Sequence, residues 1–137
     1  MEQTSRSDKT EWQGPQVYLH KPDLLPLIPE QAQRILLVGC GDDKLGEELK
    51  RRRQRHVLGI EADPQAAGEA RKRLDEVIVA EIEGVDIAAL GRFDCVVCDD
   101  VITRLKQPWV TLGRLRQALE PTGSFIARFL MRVNSPW

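Results

Sequence analysis

From residue 34 onward the chain passes five times through a short apolar run, and longer polar or amphipathic stretches separate the runs. "RILLV", "HVLGIE", "EVIVAE", "FDCVVCDD" and "SFIARFLM" are short and largely apolar, which reads as buried strands. Between them, "DKLGEELKRRRQR" predicts a helix, with Leu45 and Leu49 at i, i+4. "DPQAAGEARKRL" predicts a second, with Asp63 as N-cap and Pro64 at its first helical position. "GVDIAALGR" reads as a loop with a helical turn. "QPWVTLGRLRQALE" predicts a helix carrying Trp109, Leu112, Leu115 and Leu119 on one face, and "PTG" turns the chain into the last strand. Strands that alternate with helices are joined by right-handed crossovers into a parallel sheet. The expected fold class is therefore α/β: an open, mainly parallel twisted sheet with helices on both faces.

At 137 residues the chain fits one domain. Residues 1–15 read as a flexible N-terminal tail and residues 16–137 as the domain, with "KPDLLPLIPE" offering a short apolar turn to pack on it. The net charge of −1 supplies no field toward nucleic acid or anionic membrane. No apolar run nears the roughly 20 residues that span a bilayer, and "MEQTSRSDKTEWQG" lacks the core of a secretory signal. A cytoplasmic protein with no membrane or nucleic-acid partner is expected. "KRRRQRH", the one strong charge run, reads as a solvated helix end, where cations complement the dipole.

Cys40, Cys95 and Cys98 are expected to be reduced thiols. "CVVC" has the C-x-x-C spacing, but residues three apart on a strand point to opposite faces and cannot share a metal. The two histidines, His20 and His56, form no ligand pattern with them. No metal is expected.

In an open parallel sheet, ligands bind beyond the carboxyl ends of the strands, where connections reverse direction. The first loop there is "GCGDDK". Gly39 and Gly41 permit a tight turn and close approach of backbone to a ligand, and the next helix presents free N–H groups. Both phosphate-loop patterns fail: Lys44 stands where G-x-G-x-x-G needs glycine, and Glu47 and Glu48 follow Gly46. Glu61 closes the second strand, twenty residues after Gly41, where a carboxylate can accept from both hydroxyls of a ribose. Glu81 closes the third strand, and Asp99 and Asp100 close the fourth. The acids therefore share one rim.

These motifs together resemble the class I S-adenosylmethionine-dependent methyltransferases of the small-molecule type. "ILLVGCGDD" is similar to that family's glycine-rich first motif, and "VLGIEADPQAAGEAR" to its second-strand motif. "FDCVVCDDVITRLKQPWVTLGRLRQALEPTGSFIARF" resembles its fourth strand, following helix and fifth strand. The resemblance implies a Rossmann-like fold with S-adenosylmethionine as cofactor and a small-molecule acceptor attacking its methyl group through oxygen, nitrogen or carbon. It implies that Gly39, Cys40 and Gly41 cradle the methionine portion, Glu61 with Ala62 the ribose, and Glu81 with Ile82 the adenine edge. Asp99 would face the amino-acid or sulfonium end. Asp100 is the candidate base, since Arg104 occupies a position where many relatives carry histidine.

Three departures qualify the resemblance. Leu37 replaces the acid often found at the end of the first strand, and Asp43 replaces the third glycine. Asp43 is tolerable as a helix cap and damaging as a liner of the site. The chain also ends at Trp137, so the fold is expected to lack the family's C-terminal reversed strand pair. That leaves the fifth-strand edge to a second copy, a partner subunit or the N-terminal segment. Two alternatives stand beside the enzyme: a non-catalytic module of the same fold, and a receiver-like signalling domain using Asp42, Asp43 and Asp99.

Overall fold

The computed structural model describes residues 24–40 and 44–128. The expected tail at residues 1–15 lies outside them, as do Gly41, Asp42, Asp43 and residues 129–137. Five strands form one sheet: β1 (Arg34–Val38), β2 (His56–Glu61), β3 (Glu76–Val79), β4 (Phe93–Asp99) and β5 (Leu119–Arg128). Their order is β3-β2-β1-β4-β5, and every pairing is parallel. Among the described residues three α-helices cover it: α1 (Lys44–Arg52), α2 (Pro64–Ala70) and α3 (Pro108–Gln117). The expected α/β architecture is what forms.

Alternation along the central strands splits the core into two layers. On one face Ile35, Leu37, Val57, Cys95 and Val97 pack with Leu49 of α1 and with Ala70 and Leu74 at the end of α2. Leu24 and Ile28 join them from the 3-10 turn at Leu25–Leu27, so the apolar segment before β1 does pack on the domain. On the other face Leu36, Leu58, Ile60, Phe93, Val96 and Cys98 pack with Leu115 of α3. The 3-10 turns Ile82–Gly84 and Ile87–Leu90, where one helical turn was expected, add Ile82 and Ile87 to that layer. Cys95 and Cys98 thus lie on opposite faces, as the strand period requires. Burial pushes their thiols up to about 11 and about 12 respectively. Among the described residues no group of three or more His, Cys, Asp or Glu is arranged to hold a metal ion.

Local chemistry explains most boundaries. Asp63 caps α2, its carboxylate accepting from the N–H groups of Gln65 and Ala66, and Pro64 opens the helix. α2 ends at Ala70 rather than Leu74, although the Leu74 N–H still donates to Ala70 O at 2.9 Å. α1 stops at Arg52, short of the expected Arg55. The cations that follow are committed locally. Lys50 binds both carboxylate oxygens of Asp75 at 2.7 Å, Arg51 and Arg52 bind Glu48, and Arg53 donates to the carbonyl of Glu30. Arg55 is buried and donates to the carbonyls of Ala32 and Glu30 at 3.0 and 2.7 Å. The cations Lys50 to Arg52 close the helix as expected, whereas Arg55 lies past its end and is buried rather than solvated.

Two expectations need correction. Trp109 is 82% exposed, and α3 buries Thr111 and Leu115, with Ala118 just beyond it, instead of a Trp109–Leu112–Leu115–Leu119 stripe. Steps of three residues drift by roughly 60° each on a 3.6-residue helix, so Trp109 stands about 120° away from Leu115. Leu119, placed in that helix from the sequence, begins β5. The "PTG" turn is absorbed into β5 as an irregularity: pairing passes from Phe93–Leu119 to Cys95–Ser124. Gly123 makes that bulge possible, because a Cβ there would lie 3.1 Å from Asp94 O and 2.9 Å from a Leu119 methyl.

Candidate active site

The strand order locates the crevice. From β1 the chain moves outward to β2 and β3, then returns across the sheet to β4 and continues to β5. Connections from β1 and β4 therefore diverge, and beyond their carboxyl ends is where open parallel sheets place a ligand crevice. Gly39 follows β1 at that point with φ +75°, a conformation that L side chains rarely adopt. Its N–H donates to Ile60 O of β2 at 2.8 Å. A Cβ on Gly39 would come 2.4 Å from a Val101 methyl and 2.8 Å from Asp99 O. One glycine thus ties the ends of β1, β2 and β4 together, and no larger residue fits there.

Around this turn the rim acids separate into different environments. Glu61 ends β2, half-buried, and its Oε2 accepts from the Asp63 N–H at 3.0 Å. Ala62 beside it is exposed. Glu81 lies two residues past the end of β3, which is shorter than expected, and is exposed. Ile82 is buried in the core layer, so its side chain serves packing first. Cys40 also turns inward. A Cβ on Gly59 would strike its Sγ at 2.8 Å, which leaves only the main chain of Cys40 for the rim. Leu37 is buried beneath Gly46 of α1.

Asp99 departs most from expectation. Its carboxylate does not stand open at the end of β4: Arg128 of β5 grips it, Nε to Oδ1 at 2.8 Å and Nη2 to Oδ2 at 2.5 Å. Sequence reasoning missed Arg128. The available signal was one cation inside the apolar run "SFIARFL", which parallel pairing sets opposite the end of β4. Asp100 follows at φ +58°, its N–H donating to Arg128 O at 2.7 Å. Its own carbonyl accepts from Arg104 Nε at 3.0 Å. Arg104 thus holds the loop main chain. Another missed residue is Glu83, whose carboxylate accepts from the N–H groups of Lys106 and Gln107 and fixes the entry to α3.

This topology and glycine turn coincide with a match of residues 36–127 to a family model described as a methyltransferase domain. The chain belongs to the methyltransferase-domain family. It is 30% identical over 115 residues to a ubiquinone biosynthesis O-methyltransferase of Cereibacter sphaeroides, covering 80% of this chain and 46% of that protein. The methyltransferase-family chain described here therefore spans less than half the length of that curated relative. Among solved structures, the N-terminal domain of EvdMO1 with SAH bound superposes with a TM-score of 0.58 at 28% identity, over 65% of this chain and 40% of that one. A TehB-like SAM-dependent methyltransferase from Corynebacterium glutamicum shares the fold, with a TM-score of 0.63 at 24% identity over 74% of this chain and 56% of that one.

Proposed function

We propose that this chain forms the cofactor-binding part of an S-adenosylmethionine-dependent methyltransferase acting on a small-molecule acceptor. The observation that carries the reading is the Gly39 turn, bonded to Ile60 O and closed against Asp99 O and Val101, with Glu61 at the end of the adjoining strand. A Cβ on Gly39 would strike Val101 and Asp99 O, so the bend keeps its course only with glycine, whose main chain can approach a ligand closely, and the acid next to it suits a diol. The residues present therefore fit the group.

In this reading the main chain of Gly39, Cys40 and Gly41 borders the methionine portion. Glu61 accepts from the ribose hydroxyls beside Ala62, and Glu81 with the main chain of Ile82 borders the adenine. When bound, S-adenosylmethionine supplies an electrophilic methyl group. This chain's residues supply position, which accounts for much of the acceleration available to an in-line transfer. Asp100, held at the end of β4, is the side chain offered to take a proton where the acceptor has one to lose.

The same reading places the protein in the cytoplasm. No helix among the described residues is long and apolar enough to cross a membrane, which is compatible with that assignment. β5 closes one end of the five-stranded sheet with Phe125 39% exposed, which supports a second copy or partner subunit against that edge. Leu37, buried where the resemblance implies an acid for the cofactor's amino group, favours a second reading as a non-catalytic module of the same fold.

Calorimetric titration with S-adenosylhomocysteine tests the cofactor site. Saturable binding is expected, and Glu61→Ala should weaken it at least tenfold, the scale of one charge-assisted hydrogen bond. Silence at millimolar ligand, or unchanged affinity in the variant, sinks the assignment. Methyl transfer to a panel of small hydroxylated acceptors then separates enzyme from module.

A further inference from the structure

The end of β4 is governed from β5. Asp99 and Arg128 are register partners on neighbouring strands, and their side chains are only 23% and 16% exposed. Their bidentate geometry is the strong, orientation-specific form of an ion pair. The backbone of Arg128 also receives the N–H of Asp100 and so helps hold that residue in its left-handed conformation. Just across the cleft, Asp99 O and Val101 abut the Gly39 turn.

We propose that Arg128 is a positioning residue that neutralises Asp99 and keeps its carboxylate turned to β5, so that Asp99 presents main chain rather than a second anion beside Asp100 to the sulfonium end of the cofactor. This rests on the cofactor reading above. S-Adenosylmethionine carries a positive sulfur, whereas the sulfur of S-adenosylhomocysteine is neutral. An unpaired carboxylate at Asp99 would favour the first ligand over the second, and a paired one removes most of that preference. Preferential ground-state binding of the cation would lower KM without accelerating transfer.

Calorimetric titration of the wild-type chain and of Arg128→Met with both ligands, at low salt, tests this. A unit charge within about one Debye length, roughly 10 Å at 0.1 M salt, is worth a factor of a few. The affinity ratio of S-adenosylmethionine to S-adenosylhomocysteine is expected to rise about threefold or more in Arg128→Met. It should return to the wild-type value in Asp99→Asn/Arg128→Met. Should Arg128→Met fail to fold, Asp99→Asn alone removes the acid from the pair and keeps the guanidinium, and the ratio should fall. A purely structural role would weaken both ligands equally, so an unchanged ratio in variants that bind overturns the proposal. Failure of the wild-type chain to bind either ligand overturns the cofactor reading itself, and this inference with it.

Discussion

Replacing Gly39 with alanine adds one methyl group and should cost far more than one methyl group usually does. Two terms add. The backbone at φ +75° penalises any L side chain by about 1–2 kcal/mol. The new Cβ would also stand 2.4 Å from a Val101 methyl and 2.8 Å from Asp99 O, overpacking of a kind that typically costs about 1–3 kcal/mol. The sum is about 2–5 kcal/mol, to be read from the urea midpoint of Gly39→Ala against wild type at constant m-value. A double-mutant cycle divides the terms. Val101→Ala removes the yielding half of the clash, while Asp99 O and the backbone strain remain. Gly39→Ala should therefore cost about 1 kcal/mol less in the Val101→Ala background than in wild type. A loss below about 0.5 kcal/mol for Gly39→Ala would refute the claim that this turn needs glycine. An additive cycle would refute the contact between the two loops.

Further outcomes follow from the same coordinates. Burial raises the pKa of Asp75, but the hydrogen bonds from Lys50 and from the Val57 N–H outweigh it and hold the carboxyl below its ordinary value. Its contribution is therefore present above the unfolded-state pKa and lost as pH falls through the folded-state value. Asp75→Asn should cost about 1 kcal/mol at pH 7, with the gap closing in acid, and a gap independent of pH in urea titrations would contradict the assignment. On α3, Leu115→Ala should lose about 2–5 kcal/mol and Trp109→Ala less than about 0.5, the reverse order restoring the face expected from sequence. Cys95 and Cys98, buried and raised to about 11 and about 12, should resist iodoacetamide at pH 8 and react once urea unfolds the chain; fast alkylation of the native protein would place them elsewhere.

What could be read from the sequence and what could not divide along a physical line. The strands, α2 with its Asp63–Pro64 start, the parallel sheet and the Gly39 bend are encoded within a few neighbouring residues, and local periodicity and capping chemistry expose them. The face of α3 is also local, yet apolar spacing alone points to the wrong one, because Trp109 is large and apolar and steps of three residues drift around the helix instead of forming a straight stripe. The committed states of the rim acids are not local at all. Whether Asp99 faces a ligand or an arginine depends on which residue of β5 comes level with it, and the bulge between Leu119 and Ser124 sets that register. Removing one residue from the bulge would shift β5 by one position and turn Arg128 to the other face of the sheet. Asp99 would then stand unpaired, as the sequence alone suggested. The charge at the end of β4 is thus decided some five residues before Arg128, by the way Gly123 lets the chain fold against Asp94 O.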